Sequence, residues 1–241
     1  MSCVEILISI FFFGINNINL IKSKSNNRDR FVLSKGHACT ALYSILARLG
    51  FFKTSELLKF RNINGILEGH PEIKIPGIET ATGSLGQGVA VSAGIALGLK
   101  HQKLNSNVYC VISDGENQEG IVWEQAMFSG FNKLDNLFVF LDYNNLQQDG
   151  KTSDILDISP IKEKWESFNW SVLKVNGHSF SELKTAIKKS KKIKGKPKII
   201  ICDTIKGKGV SFMENSLKWH GTKPPSESEY TSSLSEIWHG R

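Results

Sequence analysis

Short β-rich runs alternate with helical segments along the second half of the chain, and this alternation constrains the fold most strongly. The runs are NVYCVIS (107–113), NLFVFLDY (136–143), WSVLKV (170–175) and KPKIIICDTI (196–205). Between them lie EGIVWEQAMFSGFNKL, SPIKEKWESF and SFSELKTAIKKSKK, with helical spacing and with Ser159 and Ser179 as predicted N-caps. Alternating strands and helices form a parallel sheet covered on both faces. The sequence therefore predicts an α/β fold, a doubly wound parallel sheet with helices on both faces.

The apolar segment CVEILISIFFFGI near the N-terminus has two interpretations, a buried helix or a targeting segment. No basic region precedes it, Glu5 interrupts it, and no small-residue cleavage site follows before Asn16. It is also too short to span a bilayer. We favour the buried helix and expect no membrane partner.

The four cysteines lie far apart and form no CxxC pair, and two of them fall within strand-like runs. This pattern is typical of buried free thiols in a reducing compartment, so we expect a cytoplasmic protein.

The net charge of +7 is concentrated in KTAIKKSKKIKGKPK (184–198). No aromatic residues interleave with these lysines and no binding motif is present, so a solvated helix face is favoured and no nucleic-acid partner is expected. The excess positive charge would attract phosphorylated ligands.

Oxygen-bearing side chains follow two consecutive runs. Asp114 comes directly after the first run and Asn144 after the second, about one βαβ unit later. A right-handed crossover can bring both to one edge of the sheet, where a carboxylate, an amide oxygen and a backbone carbonyl would suit magnesium better than zinc. The alternative is that both are ordinary turn residues, and this pair alone leaves the choice open.

Three histidines, His37, His70 and His220, each stand beside a glycine, which favours presentation of the imidazole at a loop close to a ligand. The glycine-rich TGSLGQG (82–88) is not a nucleotide-binding P-loop, because no strand precedes it and no Lys-Ser or Lys-Thr follows it. The small-residue segment VAVSAGIALGL after it predicts a tightly packed helix.

SDGENQEG followed by LDYNNLQQDG resembles the GDG...NN motif that binds thiamine diphosphate. DRFVLSKGH, EGHPE, TATGSLGQG, KLDNL and IKGKGVSFMENSLKWHG resemble the amino-terminal half of transketolase, in order and spacing. The resemblance covers almost the whole chain, and it is closest to the amino-terminal subunit of transketolases that are split into two chains. Residues 1–241 are accordingly expected to form a single domain that binds the diphosphate of the cofactor, with a C-terminal tail from about residue 222.

The resemblance implies the roles of individual residues at the metal and cofactor. Magnesium would be held by Asp114, by the Asn144 side chain and by the Leu146 carbonyl, and Gly115 would let the backbone approach the diphosphate. Ser113 stands where the family usually has glycine, and we expect a modest effect on binding. The remaining cofactor contacts implied are Gly83, Ser84, Leu85, Glu116, Asn144 and Glu124.

The resemblance also implies the catalytic residues. His70 would contact the intermediate on the thiamine ring and a substrate hydroxyl, His37 would help proton transfer to sugar oxygens, and His220 would reach the diphosphate and substrate. Glu119 and Glu124 match acidic residues at the subunit interface, which couple to the cofactor glutamate of the opposite half. His101, His178 and His239 match nothing catalytic in the family and are interpreted as structural.

The implied reaction is transfer of a two-carbon ketol unit from a ketose, usually phosphorylated, to an aldose. The partner would be a C-terminal transketolase subunit that holds the aminopyrimidine of the cofactor, in an α2β2 assembly. The family carries an SGHPG segment before its first helix, and this chain, which starts at MSCVEIL, is expected to begin inside that helix. Either the true start lies upstream of Met1, or the chain has lost a substrate-side group. A noncatalytic scaffold subunit of the same fold is therefore the alternative.

Overall fold

A parallel sheet forms the centre of the structure, a computed structural model that describes residues 1–22, 25–220 and 224–239. Its strands are β1 Arg30–Leu33, β2 Val108–Ser113, β3 Leu137–Tyr143, β4 Ser171–Asn176 and β5 Lys198–Asp203. The spatial order is β1-β2-β3-β5-β4, and each neighbouring pair is parallel. The predicted α/β class is confirmed.

Helices lie between these strands, before the first strand and after the last. They are α1 Val4–Ser9, α2 Ile18–Lys22, α3 Cys39–Arg48, α4 Gln87–His101, α5 Gly120–Phe131, α6 Thr152–Ile155, α7 Ile161–Ser167, α8 Phe180–Ser190 and α9 Glu227–His239. A π-helical turn over Ile10–Gly14 continues α1, and short 3-10 turns cover Gly36–Ala38, Thr54–Lys59, Gly115–Gln118 and Leu217–Trp219.

Two apolar cores cover the two faces of the sheet. On one face, α1, α3 and α8 pack with inward residues of the strands such as Tyr109 and Phe138. On the other face, α4, α5 and α7 pack with Cys110, Val139 and Ile199. Alternate residues of each strand thus face opposite cores, as the period of two along a strand requires. The sheet is doubly wound, with helices on both faces.

The N-terminal apolar segment is a buried helix, as predicted. Ile6, Leu7 and Ile10 are fully buried against the sheet. All four cysteines are buried and unpaired. Within the described ranges, no helix combines the length and the apolar character needed to cross a membrane.

The helix starts were predicted with mixed success. Ser179 caps α8, and its hydroxyl accepts a hydrogen bond from the Glu182 amide. The prediction for Ser159 was wrong, because α7 begins at Ile161 after Pro160 and no side-chain hydrogen bond caps it. Strand β1, within DRFVLSKGH, was not predicted. The predicted start of the C-terminal tail, near residue 222, lies outside the described residues.

Candidate active site

Side chains that follow β2 and β3 lie at one edge of the sheet. Ser113, the last residue of β2, pairs in register with Asp142 in β3. Asp114 and Asn144 follow these two residues closely, so both stand at the carboxyl edge, where ligands of parallel sheets bind. The structure therefore brings together the two side chains on which the magnesium prediction depends.

The Asp114 carboxyl is buried and only partly hydrogen-bonded. Asp114 is 2% exposed, and its Oδ1 accepts a hydrogen bond from the Gly115 amide at 2.9 Å. Oδ2 is buried without a hydrogen bond of ordinary geometry, and the nearby Asn145 amide lowers the Asp114 pKa against the effect of burial. Burial and the nearby negative charge of Asp142 raise the Asp114 pKa to about 6, against the opposing charge of Lys35. A buried carboxylate oxygen without a partner has the donor chemistry of a cation site.

The loop after β3 presents Asn144 and Leu146. Asn144 is largely buried, and its Oδ1 accepts a hydrogen bond from the Leu146 amide at 3.1 Å. An amide oxygen has a second lone pair, so this bond leaves it able to bind a cation. Asn145, between them, has a left-handed φ of 61°. A bridge between Leu146 and Lys151 closes the loop.

Glu116 organises three loops from inside the protein. It is fully buried, and its carboxylate accepts hydrogen bonds from the Ser34 hydroxyl, from the Gly86 amide at 3.0 Å, and from the Ser113 amide and hydroxyl at 2.8 and 3.2 Å. Ser113, the departure from the family glycine, thus gains a partner for its hydroxyl. Because both carboxylate oxygens are engaged within the chain, a cofactor contact by the Glu116 side chain would require breaking one of these bonds.

Close backbone approach explains glycines at this edge. A Cβ at Gly36 would lie 2.8 Å from the Thr82 carbonyl oxygen, and one at Gly88 would lie 2.6 Å from the Ser34 Cα. Gly86, which precedes α4, has a φ of 80° and approaches Ile121. These positions press the TGSLGQG segment against the loop after β1.

His70 lies beside the glycine-rich segment. A Cβ at Gly83 would lie 3.3 Å from the His70 ring. His70 is exposed, and it opens into a cleft lined also by Arg61, Glu68, Gly69, Glu72 and Lys74. The buried Tyr43 hydroxyl donates to the His70 carbonyl at 2.8 Å and fixes this loop. Of the other predicted contacts in the segment, Ser84 is exposed and Leu85 is half-buried.

His37 and His220 form a stacked pair. Their ring centroids are 5.3 Å apart, and Lys206 Nζ donates to Nδ1 of His220 at 2.7 Å. Burial lowers the His37 pKa, and the positive charges of Lys35 and Lys206 lower it further. Partial burial and then Lys206 lower the His220 pKa to about 4. Both rings are therefore neutral at pH 7 and can donate or accept hydrogen bonds.

Two lysines at this edge were not predicted. Lys35 Nζ forms a buried ion pair with Asp142 Oδ2 at 2.5 Å, and Thr204 also donates to Asp142. Burial alone would raise the Asp142 pKa, but Lys35 holds it at about 2. Lys206 follows β5 and is half-buried beside His220. A lysine next to glycine is the feature that SKGH and IKGKG share, but β1 was not predicted, so only Lys206 could be recognised from the sequence as following a strand.

The predicted interface acids lie on the protein surface, and Glu119 is close to the glycine-rich segment, with its Cβ 3.3 Å from the position of a Cβ at Gly86. Glu119 directly precedes α5, Glu124 lies within it, and both are exposed. The same helix exposes Met127, Phe128 and Phe131, the last with 85% of its surface accessible. This surface thus combines acidic and large apolar side chains.

Comparison with known families identifies the family to which this chain belongs. Residues 1–233 match the family model described as transketolase, thiamine diphosphate binding domain. This chain belongs to the transketolase family. The resemblance inferred from the sequence motifs is confirmed, and the matched domain is one that binds thiamine diphosphate.

Relatives within the transketolase family include short subunits and full-length enzymes. The chain is 41% identical to the 6-deoxy-6-sulfo-D-fructose transketolase subunit SqwG of Clostridium sp. (strain MSTE9), covering 92% of this chain and 81% of that protein. It is 37% identical to an apulose-4-phosphate transketolase subunit of Phocaeicola vulgatus, covering 98% and 84%. Rattus norvegicus transketolase is 39% identical, but the match covers 93% of this chain and 36% of that enzyme.

Solved transketolase structures share the fold. The crystal structure of Campylobacter jejuni transketolase superposes with a TM-score of 0.87 at 32% identity, over 98% of this chain and 38% of that one. Leishmania mexicana transketolase gives a TM-score of 0.85 at 26% identity, over 98% and 40%. The chain therefore corresponds to less than half of these transketolase chains.

Proposed function

We propose that this chain is the amino-terminal subunit of a two-chain transketolase and holds the diphosphate of thiamine diphosphate through a magnesium ion. The observation that carries the proposal is the unpartnered Asp114 Oδ2, buried at the carboxyl edge of the sheet next to Asn144. A buried acceptor of this kind is costly without a ligand, and a cation would offset that cost. The match of residues 1–233 to the family's cofactor-binding domain supports the same site.

The donor set fits magnesium. Asp114, the Asn144 amide oxygen and the Leu146 carbonyl would supply three oxygens, and magnesium takes its remaining ligands from phosphate and water. Among the residues that the structure describes, no three His, Cys, Asp or Glu side chains cluster as a metal site. One carboxylate with neutral oxygens suits a hard cation that brings its own phosphate ligands. A Cβ at Gly115 would meet only Gln147, at 3.8 Å, so the backbone there has room for a ligand.

The diphosphate would be met by neutral and positive groups. Lys206 offers an ammonium group that lies next to His220, and the low pKa of His220 leaves its ring neutral beside that charge. With Nδ1 accepting from Lys206, the neutral ring carries its proton on Nε2, which can donate to a phosphate oxygen. His37, stacked on His220, extends the same donor surface.

His70 is proposed to act on the substrate. Bound thiamine diphosphate would supply the nucleophilic carbon that accepts the two-carbon ketol unit. His70 is exposed beside Gly83, where a ring nitrogen can exchange a proton with a hydroxyl of a sugar or sugar phosphate. His37 is proposed to act in the same way on other sugar oxygens.

A second subunit would complete the site. The match spans 81% and 84% of the relatives named as subunits, but only 36% of Rattus norvegicus transketolase. The partner proposed is a C-terminal transketolase subunit that holds the aminopyrimidine, in an α2β2 assembly of the cytoplasm. The exposed Glu119, Glu124 and Phe131 would lie in its interfaces.

Ketol transfer measured with the separate and combined chains tests the proposal. The complex with its partner half, supplied with thiamine diphosphate and magnesium, should transfer ketol units from at least one member of a broad ketose panel. Each chain alone should be inactive. A complex that binds cofactor but turns over no ketose would leave the noncatalytic scaffold as the better account, and activity of this chain alone would contradict the two-chain arrangement.

A further inference from the structure

His178 contacts the segment that carries Lys206. It lies in the turn between β4 and α8, and its Nε2 accepts a hydrogen bond from the Ile205 amide at 2.9 Å. The His178 side chain is only 12% exposed. Ile205 immediately precedes Lys206, so this bond holds the backbone from which the lysine side chain extends. The sequence suggested only a structural role for His178.

The turn around His178 is built for this close approach. A Cβ at Gly177 would lie 2.4 Å from the Thr204 methyl group, so only glycine fits there without displacement. The Gly177 amide donates to the Asp203 carbonyl at 2.8 Å. The Asn176 side chain accepts from the His178 amide at 2.9 Å. The turn thus contacts three successive residues at the end of β5 and just after it, which are Asp203, Thr204 and Ile205.

The acceptor role fixes the tautomer of His178. A neutral imidazole that accepts at Nε2 carries its proton on Nδ1. Nδ1 lies 3.1 Å from Glu5 Oε1 of α1, a close electrostatic contact, although no hydrogen bond of ordinary geometry joins them. The Glu5 carboxylate favours a proton on the nitrogen that faces it, and this leaves Nε2 free to accept from Ile205.

We propose that His178 is a positioning residue for Lys206, an inference that rests on the proposed cofactor site. Lys206 Nζ reaches Nδ1 of His220 at 2.7 Å, which places its charge where a diphosphate would bind. The Thr204 amide on one side donates to the Tyr143 carbonyl, and the Lys206 carbonyl accepts from the Asn215 amide on the other. His178 accepts from the Ile205 amide, which lies between these two hydrogen bonds. Loss of its acceptor would let the backbone before Lys206 move and would weaken diphosphate binding.

Two amide variants of His178 distinguish the roles of its two ring nitrogens. A glutamine oxygen can reach the position of Nε2, whereas an asparagine side chain reaches only as far as Nδ1. In the full chain, His178→Asn should accelerate hydrogen exchange at the Ile205 amide about 3- to 10-fold, the scale of one net hydrogen bond. In the complex with the partner half, it should weaken thiamine diphosphate binding with magnesium by a similar factor. His178→Gln should keep most of the protection of the Ile205 amide and most of the affinity for thiamine diphosphate. Exposed His101→Asn should change neither quantity.

A double-mutant cycle tests whether His178 acts through Lys206. Lys206→Met should weaken cofactor binding by itself, and adding His178→Asn to it should cause no further loss. Additive losses in the double mutant would overturn the positioning role. Equal cofactor binding by His178→Asn and His178→Gln would overturn it as well.

The two proposals fail in different ways. A wild-type complex that binds no thiamine diphosphate would overturn the proposed function and the role of His178 together. Normal binding in the wild type and unchanged binding in His178→Asn would overturn the positioning role alone. If His178→Asn does not fold, Glu5→Gln takes its place, because it weakens the bias toward the Nδ1 tautomer and should produce a smaller loss of the same kind.

Discussion

Asp114 is a residue whose charge opposes folding until something neutralises it. Its pKa is raised to about 6, above its ordinary value, mainly by burial. The raised pKa means that the folded chain prefers the protonated carboxyl. The resulting penalty on stability is fully present above pH 6, declines as the pH falls toward the unfolded pKa near 4, and disappears below it. Such a penalty is typical of a site kept for a ligand.

Replacing Asp114 by asparagine should therefore stabilise the chain without metal. In chelator, at pH 7.5, Asp114→Asn should raise the free energy of unfolding by roughly 1–3 kcal/mol, and the gain should vanish near pH 4. Denaturant titrations at the two pH values measure this difference. Asp154→Asn, at an exposed residue of α6, is the matched control and should show no such pH dependence. A loss of stability at pH 7.5 would contradict the assigned environment of Asp114.

His70 provides a second prediction for a single residue. If its ring exchanges protons with the substrate, its contribution is larger in the transition state than in cofactor binding. His70→Ala should lower kcat of the complex by about a hundredfold and leave half-saturation by thiamine diphosphate within about threefold. Steady-state ketol transfer measures both, with exposed His101→Ala as the control. An equal loss in cofactor affinity would reassign His70 to binding.

At the level of elements, the sequence predicted the strands whose apolar runs were long. Strands β2 to β5 contain six or seven residues and were recognised, whereas β1 contains four and was not. A short run carries too little periodicity to separate a strand from a loop. Ser159 failed as an N-cap because the helix begins at Ile161, so that Pro160 occupies the position before its first residue.

The candidate site was predictable only for residues whose positions follow from the order of strands and helices along the chain. The meeting of Asp114 and Asn144 follows from parallel strands and one crossover, so their spacing was sufficient. The contacts of Lys35 with Asp142 and of Lys206 with His220 join distant segments through long side chains. No sequence interval reveals such contacts, because side-chain reach and packing decide them.

Close packing of α5 gives a prediction for an element. A Cβ at Gly130 would lie 1.8 Å from the Phe168 carbonyl oxygen, whereas one at Gly94 in α4 would meet nothing within 4 Å. Gly130→Ala should therefore destabilise the isolated chain by about 2 kcal/mol or more, because the backbone must move. Gly94→Ala should be neutral or stabilising by up to about 1 kcal/mol, from helix propensity. Thermal unfolding compares the two, and equal effects would contradict the packing of α5.

For the whole molecule, the exposed side of α5 indicates assembly. Phe131 and Met127 are far more exposed than large apolar residues of a solitary surface helix need to be. Phe131→Glu should leave the chain folded but shift its sedimentation, alone and with the partner half, toward smaller species. Ser181→Glu, which adds the same charge at an exposed residue of α8, should leave assembly unchanged. Unaltered assembly in Phe131→Glu would exclude this face from the interface.

In the proposed function, Asp114 holds the metal through which this chain binds thiamine diphosphate. Calorimetric titration of thiamine diphosphate into the two-chain complex, with and without magnesium, tests this role. Binding should require magnesium in the wild type and should fall at least a hundredfold in Asp114→Asn, because a neutral amide cannot offset the charge of the ion. Asp154→Asn should bind like the wild type. Equal magnesium-dependent affinity in the Asp114→Asn complex would contradict the account.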